Sequence, residues 1–93
     1  MIKIFGEDLY WKGKLLVFTW HFKAEFEKVN KPLEFVLDIL NDGEHHLVSK
    51  RENKYNVLYP YHHKFLCLSY VEHENIILIY VKPTGRKQGV NRK

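Results

Sequence analysis

Three stretches of the second half of the chain constrain its fold most: KYNVLYPY at residues 54–61, KFLCLSYVE at 64–72 and NIILIYVK at 75–82. Each is rich in β-branched and aromatic residues, and turns holding His62-His63 and His73-Glu74-Asn75 separate them, so they read as consecutive strands of an antiparallel meander. Alternation along 75–82 puts Ile77, Ile79 and Val81 on one face and Ile76, Leu78 and Tyr80 on the other. Both faces are apolar, so both sides of the sheet need cover.

Upstream, two short helical patterns supply part of that cover. Thr19 stands at an N-cap position ahead of Phe22, Phe26 and Val29, whose i, i+4, i+7 spacing predicts a first helix over 20–28; the alternative is one long strand over 15–22. Asn30-Lys31-Pro32 interrupts it, and Pro32 opens a second helix over 32–41, with Leu33, Val36, Leu37 and Leu40 as its apolar stripe, widened by Phe35 and Ile39. Gly43 reads as its left-handed stop. Residues 45–50 make a further strand before a polar turn at Arg51-Glu52-Asn53, Lys12-Gly13 reads as a turn, and 2–5 as a short edge strand.

The expected architecture is α+β: two helices packed on a twisted, mainly antiparallel sheet of about four strands. Two helices cover one side only, which leaves the other to the N-terminal segment, a second copy or a partner protein. A chain of 93 residues makes one domain, placed at 1–83, followed by a flexible basic tail at 84–93.

Composition narrows the class. The hydrophobic share of 45% is enough for a core, and fifteen Lys and Arg against eleven Asp and Glu give a net charge of +4, a bias towards anionic partners. A single cysteine, Cys67, excludes an intrachain disulfide, and no apolar run spans a membrane or heads a secretory signal, so a soluble cytoplasmic protein without membrane contact is expected. Neither His45-His46 nor His62-His63 makes a chelating pair on a strand, because neighbours point to opposite faces; no metal and no cofactor is expected. Scattered glycines rule out a phosphate loop.

Residues 18–86 resemble a family of small domains, DUF4258, related to the RelE and BrnT toxins. The pieces that carry the likeness are Thr19 with His21, LEFVLDILNDGE at 33–44, KYNVLYP at 54–60, KFLCLSYV at 64–71 and IILIYVKPTGRK at 76–87. The family's arginines in and after the first helix are replaced here by Lys23 and Lys28, with Glu25 and Glu27 between them. The resemblance implies a RelE/BrnT-like fold and an RNA-interacting toxin, a metal-independent ribonuclease of a toxin–antitoxin pair. The alternatives are a non-catalytic nucleic-acid- or protein-binding domain and a self-associating structural protein. Expected partners are RNA together with an antitoxin-like protein or a second copy.

Cleaving RNA without metal needs a proton acceptor for the 2′-hydroxyl, a proton donor for the leaving oxygen, and cations for the phosphorane. His62 or His63 is the candidate proton carrier, Lys82 and Arg86 the candidate phosphate ligands, and Tyr80, which shares a face with Lys82, or Tyr59 a base-stacking platform. Candidate RNA contacts are Lys54, Tyr55, Tyr59, Lys64 and Lys87, with His21 added by the resemblance.

Overall fold

In a computed structural model of the chain, residues 9–85 are described; the strand expected at 2–5, and Arg86 and Lys87, lie outside them. The elements run β1 (Tyr10–Trp11), β2 (Lys14–Phe18), α1 (Trp20–Glu27), α2 (Phe35–Asp42), β3 (Glu44–Ser49), β4 (Lys54–Tyr61), β5 (Lys64–Glu72) and β6 (Ile76–Thr84). The strands form one sheet in the order β1-β2-β6-β5-β4-β3.

The four-stranded, mainly antiparallel sheet expected from sequence is therefore corrected to six strands in a mixed sheet. Two helices remain, so the broad α+β class stands. The meander β3-β4-β5-β6 is antiparallel as its short turns require. The extra strands come from the N-terminal segment. Lys12 and Gly13, at φ 60° and 77°, turn β1 back onto β2, and β2 then lies parallel to β6, pairing Leu16 with Ile76 and Phe18 with Leu78. A two-residue strand and a partner some 60 residues away leave little local signal.

Thr19 fixes where β2 stops and α1 starts. Its side-chain oxygen accepts from the Phe22 amide at 3.1 Å while its hydroxyl donates to the Leu78 carbonyl at 3.0 Å. The cap thus satisfies an orphan helix donor and ties α1 to β6. Phe22 and Phe26 point from α1 into the core; the long-strand alternative over 15–22 is not adopted. At α2, Pro32, Leu33 and Glu34 accept i+3 bonds from Phe35, Val36 and Leu37, a tight lead-in, so the regular helix begins three residues later than expected.

Gly43 is extended, at φ −78° and ψ 168°, rather than left-handed. Its role is spatial: a Cβ here would press on Val57 Cγ1 and lie 2.6 Å from the Ile39 carbonyl oxygen, where α2 passes into β3.

The faces of β6 also differ from simple alternation. The β5–β6 register shifts between Ser69, opposite Tyr80, and Tyr70, opposite Leu78, leaving Ile79 as an extra residue. This bulge resets the phase. Ile76, Leu78 and Val81 face the helices and join Phe18, Phe22, Val36, Ile39, Leu40, Val57, Leu66, Leu68 and Tyr70 in the core, whereas Ile77, Tyr80 and Lys82 fall on the opposite face. On that second face Leu58 and Cys67 are buried but stand outside the core cluster.

The sheet is curled into a half-barrel. Trp11 of β1 and His45 of β3, from the two ends of the strand order, stack at 5.4 Å with their planes 6° apart. The helices therefore sit on the concave side.

Candidate functional site

The chain presents three sets of polar residues: a cleft within the concave side, the helix-free face, and the hairpin end where β4 turns into β5. The cleft has a volume of ≈ 510 Å³ and is lined by Trp11, Leu40, Asn41, His45, Tyr55 and Tyr70, with Glu72 and Lys12 at its margin. Its histidine is doubly engaged. Because a carbonyl only accepts, His45 Nε2–H donates to the Leu40 carbonyl at 2.8 Å, and Nδ1 is left to accept from the Tyr70 hydroxyl at 3.0 Å. Leu40 lies in the last turn of α2, so the ring satisfies a carbonyl that the helix itself cannot. Trp11 Nε1–H donates to Asn41 Oδ1 at 3.0 Å.

Tyr70 is pinned as a donor. Burial above all, then the neighbouring Glu72 and Tyr55, pushes its hydroxyl well above the usual phenol range. Glu72 marks a second cleft of ≈ 370 Å³ shared with Tyr55 and lined by Lys14, Asn53 and His73. Burial alone would raise its carboxyl, but Lys14 at 3.1 Å and Lys12 at 3.5 Å outweigh that and hold it below the ordinary carboxylate value. The cleft is a clasp in which Trp11 partners Asn41, His45 partners Tyr70 and Glu72 partners Lys12 and Lys14, and reading the sequence missed it: Trp11 lies 30 residues from Asn41, and Tyr70 lies 25 from His45.

The helix-free face carries two rows that cross the strands, Glu44-Leu58-Cys67-Lys82 and His46-Asn56-Ser69-Tyr80. Burial, foremost, and the nearby Cys67 raise the Tyr80 hydroxyl, while burial, foremost, raises the Cys67 thiol against the pull of Tyr80 and Lys82. Asn56 and Ser69 lie near enough to Tyr80 to oppose its shift, yet Asn56 Oδ1, Ser69 Oγ and His46 Nε2 are buried without closing a hydrogen bond of ordinary geometry. Glu44 Oε2 reaches His46 Nε2 at 3.5 Å, an ion-pair distance that matters only when the ring is protonated.

At the hairpin end, His62, His63 and Lys64 are exposed, and His62 sits at φ 58° with its ring 4.3 Å from that of Tyr61. Beside them a groove of ≈ 150 Å³ is lined by Glu25, Lys28, Val29, Tyr61, Leu66 and Pro83, and Lys28 pairs with Glu25 at 3.8 Å. Thr84 of β6 pairs with Phe65, so the described chain ends, at Gly85, at this same end.

The predicted site residues are thus divided. Lys82 pairs with Cys67, three residues from Lys64 and about 10 Å along the strand, while Tyr80, opposite Ser69, is about 17 Å away. His62 and His63 cannot share one phosphate with Tyr80. Lys82 and Tyr80 do share a face, with Nζ 5.1 Å from the ring centre. Tyr55 and Tyr59 lie on the concave side, half-buried against Tyr70 at 5.2 Å and Phe35 at 5.5 Å, so both are engaged in packing. Lys54 is at the far end of β4, opposite Val71. His21 is exposed on the first turn of α1, which Thr19 holds to Leu78, six residues back along β6 from Thr84. Among the described residues no three His, Cys, Asp or Glu side chains converge as metal ligands, and no helix is long and apolar enough to cross a membrane.

The chain matches no protein-family model, no curated protein and no solved structure.

Proposed function

We propose that the protein binds single-stranded RNA at the hairpin end of its sheet. The observation that carries this reading is the gathering of basic side chains there: the exposed His62-His63-Lys64 turn and Lys28 stand beside the end of β6, and in the sequence Arg86 and Lys87 come next after Gly85. Charge is distributed accordingly. Residues 9–85 hold ten of the fifteen Lys and Arg and nine of the eleven Asp and Glu, whereas 86–93 hold Arg86, Lys87, Arg92 and Lys93 and no acid. A near-neutral body with a cationic end contacts phosphates at that end, and the His62 and Tyr61 rings offer a surface for a base. The sequence resemblance to DUF4258 and the RelE and BrnT toxins points to RNA as the nucleic acid.

Binding is proposed ahead of cleavage because the register puts Lys82, the candidate phosphate ligand within the described strands, about 10 Å along β5 from Lys64 and so away from His62 and His63. Titrating labelled single-stranded RNA at several salt concentrations tests it. Affinity is expected to fall steeply with salt, and the combined change Lys64→Ala, Arg86→Ala, Lys87→Ala to weaken binding and flatten the logarithmic salt slope by roughly 2, about 0.7 per phosphate contact. Wild-type protein with no salt-sensitive RNA affinity refutes the proposal. Cutting of RNA and growth arrest on expression, both lost in His62→Ala with His63→Ala, would add the ribonuclease activity of a toxin to the binding.

A further inference from the structure

The groove at the hairpin end holds a residue that RNA binding through phosphates does not explain. Glu25, in the last turn of α1, lines it together with Val29, Tyr61, Leu66 and Pro83, and its side chain is 28% exposed. A carboxylate among basic groups, beside Lys28 and the His62-His63-Lys64 turn, repels phosphate, and the C-terminal end of α1 brings the negative pole of the helix to the same place. Such a place suits a neutral group with N–H donors. On the basis of RNA binding at this end, we propose that the groove is a base pocket selective for guanine, and that Glu25 reads the base.

Size, lining and hydrogen-bond chemistry agree on this occupant. At ≈ 150 Å³ the groove is smaller than the two clefts of the concave side and has room for one nucleobase. Val29, Tyr61, Leu66 and Pro83 offer the apolar and aromatic contact that a base face takes. The Tyr61 ring is held in place, since it packs on Phe35 at 5.9 Å and its hydroxyl donates to the Val29 carbonyl at 3.4 Å. A carboxylate accepts hydrogen bonds and donates none, so the base it selects must present donors. Guanine alone among the four RNA bases sets two donors side by side, N1–H and the N2 amino group, and these match the two oxygens of Glu25. Adenine and cytosine place one amino group beside an accepting ring nitrogen, and uracil flanks its one ring N–H with two carbonyls, so each brings an acceptor against the carboxylate. Lys28 leaves the way open. Its Nζ meets Glu25 Oε1 at 3.8 Å and its side chain is 74% exposed, a loose surface pair that costs little to break. Guanine takes its place on the carboxylate, and the ammonium turns to a neighbouring phosphate.

Short oligouridines carrying one central G, A, C or U, titrated by fluorescence anisotropy against the full chain at about 50 and 200 mM salt, test the proposal. The strand with G is expected to bind roughly tenfold tighter than the other three at either salt concentration. Glu25→Gln keeps the size of the side chain but turns one acceptor into a donor, and is expected to bring the four affinities to within about twofold of one another. Affinity for the all-uridine strand does not fall in this variant, because an acid has left a surface that meets phosphates. Wild-type protein that binds all four strands equally, with a steep salt dependence, overturns the guanine pocket and leaves RNA binding at this end standing. A guanine preference that survives Glu25→Gln overturns it as well, since the base is then read elsewhere. If Glu25→Gln lowers all four affinities together, along with the urea midpoint, Glu25 only positions α1 and the inference falls. No salt-sensitive binding of any strand refutes RNA binding itself, and the guanine pocket with it.

Discussion

The side chain of Thr19 receives one hydrogen bond and gives another, and the two have very different visibility from the sequence. The bond from Phe22 is local, three residues on, and a threonine before an apolar helical pattern announces it. The bond to Leu78 spans 59 residues and joins a helix start to a sheet bulge that no local pattern reveals. Thr19→Ala loses both and is expected to cost about 1–2 kcal/mol in urea unfolding, whereas Thr19→Ser, which keeps the hydroxyl, retains most of that. Glu72 gives a pH signature of known sign. Its folded carboxyl titrates below its unfolded value, so the stability it contributes is present above the unfolded value, near pH 4.5, and is lost as pH falls through the folded one. Glu72→Gln should flatten that acid limb of the unfolding midpoint, and added salt should shrink the difference between the two proteins.

Helix α2 shows how far periodicity reaches. The stripe on residues 33–40 correctly marks a core-facing helix, but it treats Leu37 and Leu40 alike, and the packing does not: Leu40 is 1% exposed and Leu37 is only half-buried. Leu40→Ala is expected to destabilise by about 2–5 kcal/mol and Leu37→Ala by clearly less, measured by denaturant unfolding of both variants. Strand β6 marks where the same kind of reading stops. IILIY is apolar at every position, so its alternation carries no phase of its own, and only pairing with β5 shows that Ile79 is surplus. That one residue moves Val81 into the core and Tyr80 out of it. The grouping of Tyr80 with Lys82 was legible because both follow the bulge; the distance of this pair from His62 and His63 was not, since it depends on the register of two strands.

Across the whole molecule, local sequence revealed the meander and the helix pair, while the closure of the sheet depended on contacts between its extremes. Trp11 and Trp20 separate these two levels. Trp11 stacks on His45 and donates to Asn41, so Trp11→Ala removes a ring and a hydrogen bond at the point where the sheet's ends meet and is expected to cost about 2–4 kcal/mol. Trp20 is 61% exposed, and Trp20→Ala should leave the melting temperature nearly unchanged. The parallel pairing of β2 with β6 has a further consequence for how the protein is made. Strand β2 finds its parallel neighbour only when β6 leaves the ribosome, several seconds later at about 5–20 residues per second. Until then the first hairpin and α1 have no sheet to dock on. A nascent chain halted before Ile76 therefore keeps an unclosed half-barrel with its apolar lining exposed, and synthesis of β6 decides when β2 and α1 can dock.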